Sequence, residues 1–296
     1  PKEVKGKAYQ DQADLTGDVI DWDNILDRYT NMDASPIEAT EAQKDAVALL
    51  MRDAGYSVDM QYDPIISGSY CYNIPFALHY NFGYDAAVHY EARDCYDDDT
   101  WAKMLYDNLA TCGPLPYEGY SGIPGHDFVC DGYDGKGYFH FNFGWNGVSD
   151  GYFLVSALNP KVPTGGVWKL YEKHGAVFGI RKPVAGSKPV CRVLFNDVPP
   201  MIVKDKLEAQ LLLLTTEPTL FDLGFKVKNL ANDEISYVAI TQKQCTKAVN
   251  SGGYPLISKI ADGEYVVTPA FRANGEEWQE ILLAKGMLGT FRLSAK

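Results

Sequence analysis

The chain has 296 residues, of which 46% are hydrophobic and 13% aromatic, and its formal net charge is −12. This composition excludes an intrinsically disordered protein, because disordered chains lack the apolar side chains that build a core. The negative charge argues against a nucleic-acid partner, since phosphate binding requires clustered Lys and Arg. The longest apolar run, residues 211–214, is far shorter than the ~20 residues of a membrane span, so no membrane span is expected.

The length and the cysteine pattern set two further expectations. A chain of this length exceeds what one hydrophobic core usually serves, so two domains are expected. The six cysteines are scattered and form no CxxC pair, and the sequence therefore gives no sign of a metal site. No cofactor is expected either.

The first part of the chain carries the helix signals. Apolar residues at helical spacing and residues typical of helix ends predict three helices, at 40–55, 75–81 and 101–110. Thr40 and Gln43 match a capping box for the first helix, and Gly55 is expected to end it. Asp99 or Thr100 is expected to cap the third.

Alternating apolar residues then predict strands, at 57–62, 86–90, 126–131, 138–143, 151–155 and 176–180. Helices followed by an antiparallel sheet indicate the α+β class. A Pro, Gly and Ser linker at 181–187 ends this region, and short strands recur beyond it at regular spacing, with one possible helical turn near 204–209. That spacing predicts a small β-sandwich.

The stretch at 125–160 contains the strongest candidates for chemistry, in the sequence GHDFVCDGYDGKGYFHFNFGWNGVSDGYFLVSALNP. His126 opens one predicted strand and Asn142 lies near the end of the next. A two-residue Asp134-Gly135 turn would place position 127 opposite 142, whereas an odd-length turn centred on Asp134 would place His126 opposite Asn142 on one face. In that second register the amide would orient the imidazole, as in a nucleophile-activating pair. The alternative is an ordinary aromatic-rich sheet, which the spacing alone favours.

No nucleophile follows from the residues alone. The other four histidines, His79, His89, His140 and His174, are expected to be structural. Cys130 shares a strand with His126 but lies about 13 Å further along it. The remaining cysteines of this region, Cys71, Cys95 and Cys112, lack a recognisable activating environment.

Residues 125–160 resemble the streptopain family of bacterial papain-like cysteine peptidases, whose signature runs roughly GHAFVIDG, YFHVNWGWGG, DGYF and ALNP. Weaker similarity extends through residues 20–26, 58–60 and 75–84, so the resemblance covers residues 1 to about 182. It implies a streptopain-like peptidase domain at 1–185 and an immunoglobulin-like domain at 187–296, the latter on weaker similarity.

The resemblance also implies roles for particular residues. His126 would be the catalytic base, Asn142 its orienting partner, and Trp145 part of an aromatic cover. Gly125 and the loop Ser67, Gly68 and Ser69 would line a cleft that binds the peptide backbone. The protein would be secreted or at the cell surface, and polypeptides would be its substrates.

Three features depart from the family pattern. Asp127 stands where the family has a small Ala, and Phe143 stands where it has the first Trp of its NWGW run. An acid beside the imidazole could raise the pKa of His126 or block the cleft. The nucleophilic Cys of the family begins a helix a short distance before a Pro that Pro1 resembles, so the Cys is expected upstream of Pro1, on a separate chain, a pro-segment or a cleaved segment. Two alternatives are a catalytically inactive binding or adhesion module and a nucleophile relocated to one of the visible cysteines.

Overall fold

The computed structural model describes residues 3–7, 13–31, 35–122, 125–163, 165–195, 201–203, 206–255, 260, 262–287 and 289–295. The chain forms two compact units, Pro1–Arg93 with Asp97–Lys188, and Asp94–Tyr96 with Pro189–Lys296. Both contain antiparallel sheets, and the architecture is a mixture of α and β elements. Their assignment as a peptidase-like and an immunoglobulin-like domain stays a prediction.

The first unit contains three α-helices: α1, Glu41–Ser57, α2, Ile74–Tyr80, and α3, Asp98–Thr111. The predicted capping box is confirmed, because the Thr40 hydroxyl accepts from the Gln43 N–H while the Gln43 side chain accepts from the Thr40 N–H. The helix continues past Gly55, so its predicted end is wrong. Asp97, which accepts from the Thr100 N–H at 2.7 Å, caps α3 in place of the predicted Asp99 or Thr100.

The sheet of the first unit has six antiparallel strands, in the spatial order β1-β6-β2-β3-β4-β5. Their bounds are β1, His89–Ala92, β2, Leu115–Tyr120, β3, Gly125–Tyr133, β4, Phe139–Asn142, β5, Gly151–Phe153, and β6, Glu172–Phe178. The strand predicted at 57–62 is wrong: the described backbone forms only an isolated bridge there, between Gln61 and Gly68. Buried aromatic side chains, Trp101, Tyr117, Phe128 and Phe141 among them, form the core between α3 and one face of the sheet.

The second unit consists of two sheets. Its strands are β7, Arg192–Phe195, β8, Met201–Val203, β9, Lys206–Leu214, β10, Thr219–Asn229, β11, Ile235–Cys245, β12, Val249–Pro255, β13, Gly263–Ala273, β14, Gln279–Glu280, and β15, Phe291–Ala295. One sheet has the order β11-β10-β13-β14 with β15 also on β13, and the other has β12-β9-β7 with β8 also on β9. Buried side chains of both sheets belong to a single hydrophobic core. The helical turn predicted at 204–209 is wrong for residues 206–209, which begin β9, while 204 and 205 lie outside the described residues.

Candidate active site

His126 lies near the start of β3, directly across from Gly119 on β2. Side chains alternate along a strand, so its imidazole shares a face with Phe128 and Cys130, both of which are buried. His126 is half-buried, because it lies where that apolar face reaches the end of the sheet. The fold thus holds an imidazole at the border between the aromatic core and solvent.

A backbone carbonyl orients this imidazole. The His126 Nε2 lies 2.8 Å from the carbonyl oxygen of Phe143, and since a carbonyl only accepts, Nε2 carries the proton of the neutral ring. Nδ1 has no hydrogen-bond partner among the described residues. Burial lowers the pKa of His126, and the hydrogen bond to the Phe143 carbonyl opposes this effect. The neutral form is therefore favoured, with an Nδ1 lone pair that can accept a proton.

Two indoles enclose the ring. Trp145 stacks on His126 with ring centroids 4.7 Å apart and planes 19° apart, and Trp168 meets its edge at 5.7 Å. The two indoles also contact each other at 5.5 Å, nearly perpendicular. This enclosure limits the water around the imidazole, which strengthens its hydrogen bond to the carbonyl.

The predicted pairing of His126 with Asn142 is wrong. Asn142 lies across from Val129, and a bulge interrupts the β3–β4 ladder between Cys130 and Gly132. Because residues directly opposite each other share a face, Asn142 lies on the face of Val129, away from His126. The turn is centred on Lys136 and not on Asp134, because the loop spans 134–138. Asp134 accepts from both the Lys136 and Tyr138 N–H groups.

Asn142 instead helps to hold the loop that carries the orienting carbonyl. Its Oδ1 accepts from the Gly144 N–H at 2.9 Å, and Gly144 has the positive φ of 73° that this turn requires. The Asp150 carboxylate accepts from the Phe143 N–H at 2.9 Å. Asp150 thus holds the Phe143 amide, and Asn142 holds the turn that follows Phe143. The Phe143 carbonyl between them faces His126.

The loop that bears Trp145 is also tied to a distant part of the chain. The Asn146 amide donates to the carbonyl of Asn31 at 3.0 Å, and its Oδ1 accepts from the Thr30 hydroxyl at 2.7 Å. Asn146 adopts a positive φ of 54°, which Asn tolerates better than most residues. These bonds fix the position from which Trp145 covers His126.

Phe143 and Asp127, the two residues that depart from the family pattern, lie differently with respect to His126: Phe143 packs on two rings that stack on His126, and Asp127 points away from it. Phe143 is fully buried and packs on Phe128 at 4.9 Å and on Trp145 at 5.4 Å, so it extends the aromatic stack in place of an indole. Asp127 points to the face opposite His126. It therefore neither crowds the imidazole nor contributes to its pKa shift, for which burial is the main cause.

The predicted cleft residues occupy separate positions. Gly125 lies against the ring of Tyr120, where an added Cβ would come within 2.5 Å of a ring carbon. Gly68 exchanges backbone hydrogen bonds with Gln61, and the Ser69 hydroxyl donates to the carbonyl of Val58. Among the described residues, no hydrogen bond joins the Ser67–Gly68–Ser69 loop to the His126 ring.

None of the six cysteines makes a hydrogen bond to His126 in the described part of the chain, and none forms a disulfide there. Cys130 is buried, and burial raises the pKa of its thiol to about 12. Cys71 lies with Asp127 on the other side of the sheet. Pro1, the reference point for the expected upstream nucleophile, lies outside the described residues. Over the residues described, no α-helix has both the length and the apolar character of a membrane crossing.

Sequence reasoning missed three contributors to this site. The Phe143 carbonyl could not be found, because every residue carries one. Asp150 follows a turn signal and showed no link to Phe143. Trp168 lies outside the family signature and was not predicted, and only its residue type, in a chain with five Trp, could have pointed to it.

Comparison with known proteins places these residues in a family context. The sequence profile of the Peptidase C10 family matches residues 2–153. Streptopain from Streptococcus pyogenes is 37% identical over 169 residues, which are 57% of this chain and 39% of that protein. The thiol protease/hemagglutinin PrtT of Porphyromonas gingivalis is 26% identical over 307 residues, covering 95% of this chain and 34% of PrtT. The chain thus spans well under half the length of these relatives.

Among solved structures, a fragment of prointerpain A from Prevotella intermedia is similar to this chain. The two are 30% identical, with a TM-score of 0.48, and the match covers 61% of this chain and 58% of that one.

Proposed function

Since the chain belongs to the Peptidase C10 family, we propose that it carries the histidine half of a cysteine endopeptidase site, with His126 as general base and acid. The observation that supports this most directly is the state of its ring. Nε2 is bound by the Phe143 carbonyl, one face lies against Trp145, and Nδ1 is left to exchange a proton.

The proposed reaction proceeds in two halves. The Nδ1 of His126 takes the proton of a cysteine thiol, and the thiolate attacks the carbonyl carbon of the peptide bond. The carbon–nitrogen bond then breaks, and the imidazolium returns its proton to the leaving amine. Water, deprotonated by the same nitrogen, hydrolyses the thioester and frees the thiol. The Phe143 carbonyl stabilises the imidazolium in both halves, because Nε2 remains a donor throughout.

The nucleophile is proposed to come from a segment that precedes Pro1, as part of the same polypeptide or as a separate chain. The environments of the visible cysteines support this. Cys130 is buried on the core side of the His126 strand with a raised pKa, and Cys71 faces the opposite side of the sheet. A thiol that is buried and protonated is a poor nucleophile.

The remaining parts of the proposal concern substrate and context. Polypeptides are the proposed substrates, with Gly125 and the Ser67–Gly68–Ser69 loop contacting the peptide backbone. The protein is proposed to act outside the bacterial cell or at its surface. The two sheets of the second unit, which share one core, support an immunoglobulin-like sandwich at 187–296.

Thiol labelling together with peptide hydrolysis tests the proposal. The intact mass and N-terminus of the purified full gene product are measured first, and the protein is then treated with an epoxide-type thiol inhibitor. We expect one cysteine upstream of Pro1 to be labelled and hydrolysis of a denatured protein substrate to stop. His126→Ala should abolish hydrolysis, whereas His140→Ala, on the neighbouring strand, should retain it.

Two results would contradict the peptidase assignment. If no thiol reacts and His126→Ala changes no activity, the protein is a peptidase-like binding or adhesion module. If the inhibitor labels Cys71, Cys112 or another visible cysteine and replacing that cysteine abolishes hydrolysis, the nucleophile has been relocated.

A further inference from the structure

On the face of the sheet opposite His126, three potential metal ligands converge from separate elements. Cys71 comes from a short 3-10 turn, Cys71–Asn73, Glu118 from β2, and Asp127 from β3. Each offers one ligand atom, and these atoms all lie within 4.8 Å of one another. Glu118 and Asp127 are direct partners across the β2–β3 ladder, which fixes both carboxylates on one face.

The Cys71 thiol is the observation that sets this group apart from an ordinary acidic surface. Cys71 is completely buried, forms no disulfide and has no hydrogen-bond partner among the described residues. Its sulfur lies within 4.8 Å of a carboxylate oxygen of each acid. A buried thiol usually behaves as a small hydrophobic group, and two acids are unfavourable neighbours for that role.

The Glu118 carboxylate is held in one orientation from outside the cluster. Tyr90 donates to Oε1 at 2.7 Å and Tyr120 donates to Oε2 at 3.3 Å. Hydrogen bonds of this kind hold metal-ligating carboxylates in place. Across from Glu118 on β6, Gly175 leaves the room for these groups, since a Cβ there would come within 2.6 Å of Oε1.

Burial raises the pKa values of all three groups, and repulsion by neighbouring acids adds to this for Glu118 and Cys71. Burial and then the charge of Asp127 raise the pKa of Glu118 to about 7. Burial alone raises the pKa of Asp127 to about 6, although Asp127 is the most exposed of the three. Burial, followed by Glu118 and Asp127, raises the pKa of the Cys71 thiol.

We propose that Cys71, Glu118 and Asp127 bind one divalent transition-metal ion, with zinc as the expected ion. A thiolate with two carboxylates suits zinc and excludes magnesium and calcium, which take oxygen ligands. Tetrahedral zinc would bring the ligand atoms to about 3.5 Å apart, from bond lengths of about 2.3 Å to sulfur and 2.0–2.2 Å to oxygen. Rotation of the Asp127 side chain, the most exposed of the three, would contribute to that contraction. Water would complete the four-coordinate shell.

Cobalt is the probe for this site, because it replaces zinc and reports its ligands by absorption. Titration of the metal-free protein with Co²⁺ should give one equivalent of binding, with a near-ultraviolet thiolate-to-cobalt band and the visible bands of tetrahedral cobalt. Zinc should displace the cobalt and remove the charge-transfer band and the visible bands.

Variants separate this site from adventitious binding. Asp127→Asn lies at the exposed end and should fold, and it should weaken cobalt binding by at least the roughly 10- to 100-fold that losing an outer partner costs. Cys71→Ser should remove the charge-transfer band. Cys112→Ser and Asp131→Asn are the matched controls. They should leave the cobalt affinity and the charge-transfer band unchanged. A wild-type protein without the charge-transfer band, or affinity unaltered in Asp127→Asn, would overturn the proposal.

Discussion

Replacing Glu118 by Gln should change how the stability of the first unit depends on pH. Glu118 is only 5% exposed, and its pKa is raised from 4.5 to about 7. A carboxyl whose pKa is raised by folding binds its proton more tightly in the native state. Its contribution to stability is therefore complete below about pH 4.5 and is lost as pH rises through about 7.

The size of this effect follows from the shift. Each pKa unit corresponds to 1.36 kcal/mol, so the titration of Glu118 should lower the free energy of unfolding by on the order of 3 kcal/mol between pH 4.5 and pH 8. Glu118→Gln cannot titrate, and its amide oxygen can still accept from one of the two tyrosines. The variant should therefore be the more stable protein at pH 8 and lose this advantage near pH 4.5.

Urea denaturation followed by tryptophan fluorescence provides the measurement, with EDTA present to keep metals away. Four of the five Trp, Trp22, Trp101, Trp145 and Trp168, belong to the first unit. Other titrating groups cancel in the difference between wild type and variant. Glu172→Gln, at an exposed Glu on β6, is the control. The difference in its free energy of unfolding from wild type should be the same at every pH. If the free energies of unfolding of wild type and Glu118→Gln differ by the same amount at pH 5 and at pH 8, the reasoning is refuted.

Three further predictions concern the His126 site. Trp145→Ala should raise the pKa of His126 toward its ordinary value, because burial is what lowers it; NMR titration of the imidazole measures this, and an unmoved pKa would show that the indole is not responsible. Asp150→Ala should cost about 1.5–3 kcal/mol, the value of a hydrogen bond to a charged group, whereas Asp150→Asn, which keeps an acceptor, should cost less in the same urea assay. Gly125→Ala should destabilise by about 1–3 kcal/mol through overpacking against Tyr120. Adding Tyr120→Ala should recover part of that loss, and a lack of recovery would mean that the ring is not the obstacle.

Local signals in the sequence predicted local structure well. The capping box of α1 and the Pro at the start of α2 act within a few residues, so the sequence alone was sufficient to locate both helix starts. The hairpin strands were also located, but their register was not. Register depends on a five-residue loop and a bulge, and a pattern of period two gives no warning of either.

The site was only partly predictable for the same reason. His126 and Trp145 belong to one continuous motif, and their rings stack in the structure. The partner of His126 is a backbone atom, which no residue type reveals. The cluster of Cys71, Glu118 and Asp127 comes from three elements distant in sequence, and its donors show none of the short spacings by which metal sites are recognised.

The order of strands in the first sheet has a consequence for how the protein is made. Within the described sheet, β1 pairs with β6 alone, and β6 is the last of its strands to be synthesised, although it lies between β1 and β2. The hairpin that bears His126 joins strands that follow one another in the chain, so it can pair as soon as it leaves the ribosome. β1 must wait for some ninety further residues, until Phe178 arrives opposite His89. Closure of the sheet is therefore a late, long-range step, and until then one edge of β2 stays open to other chains.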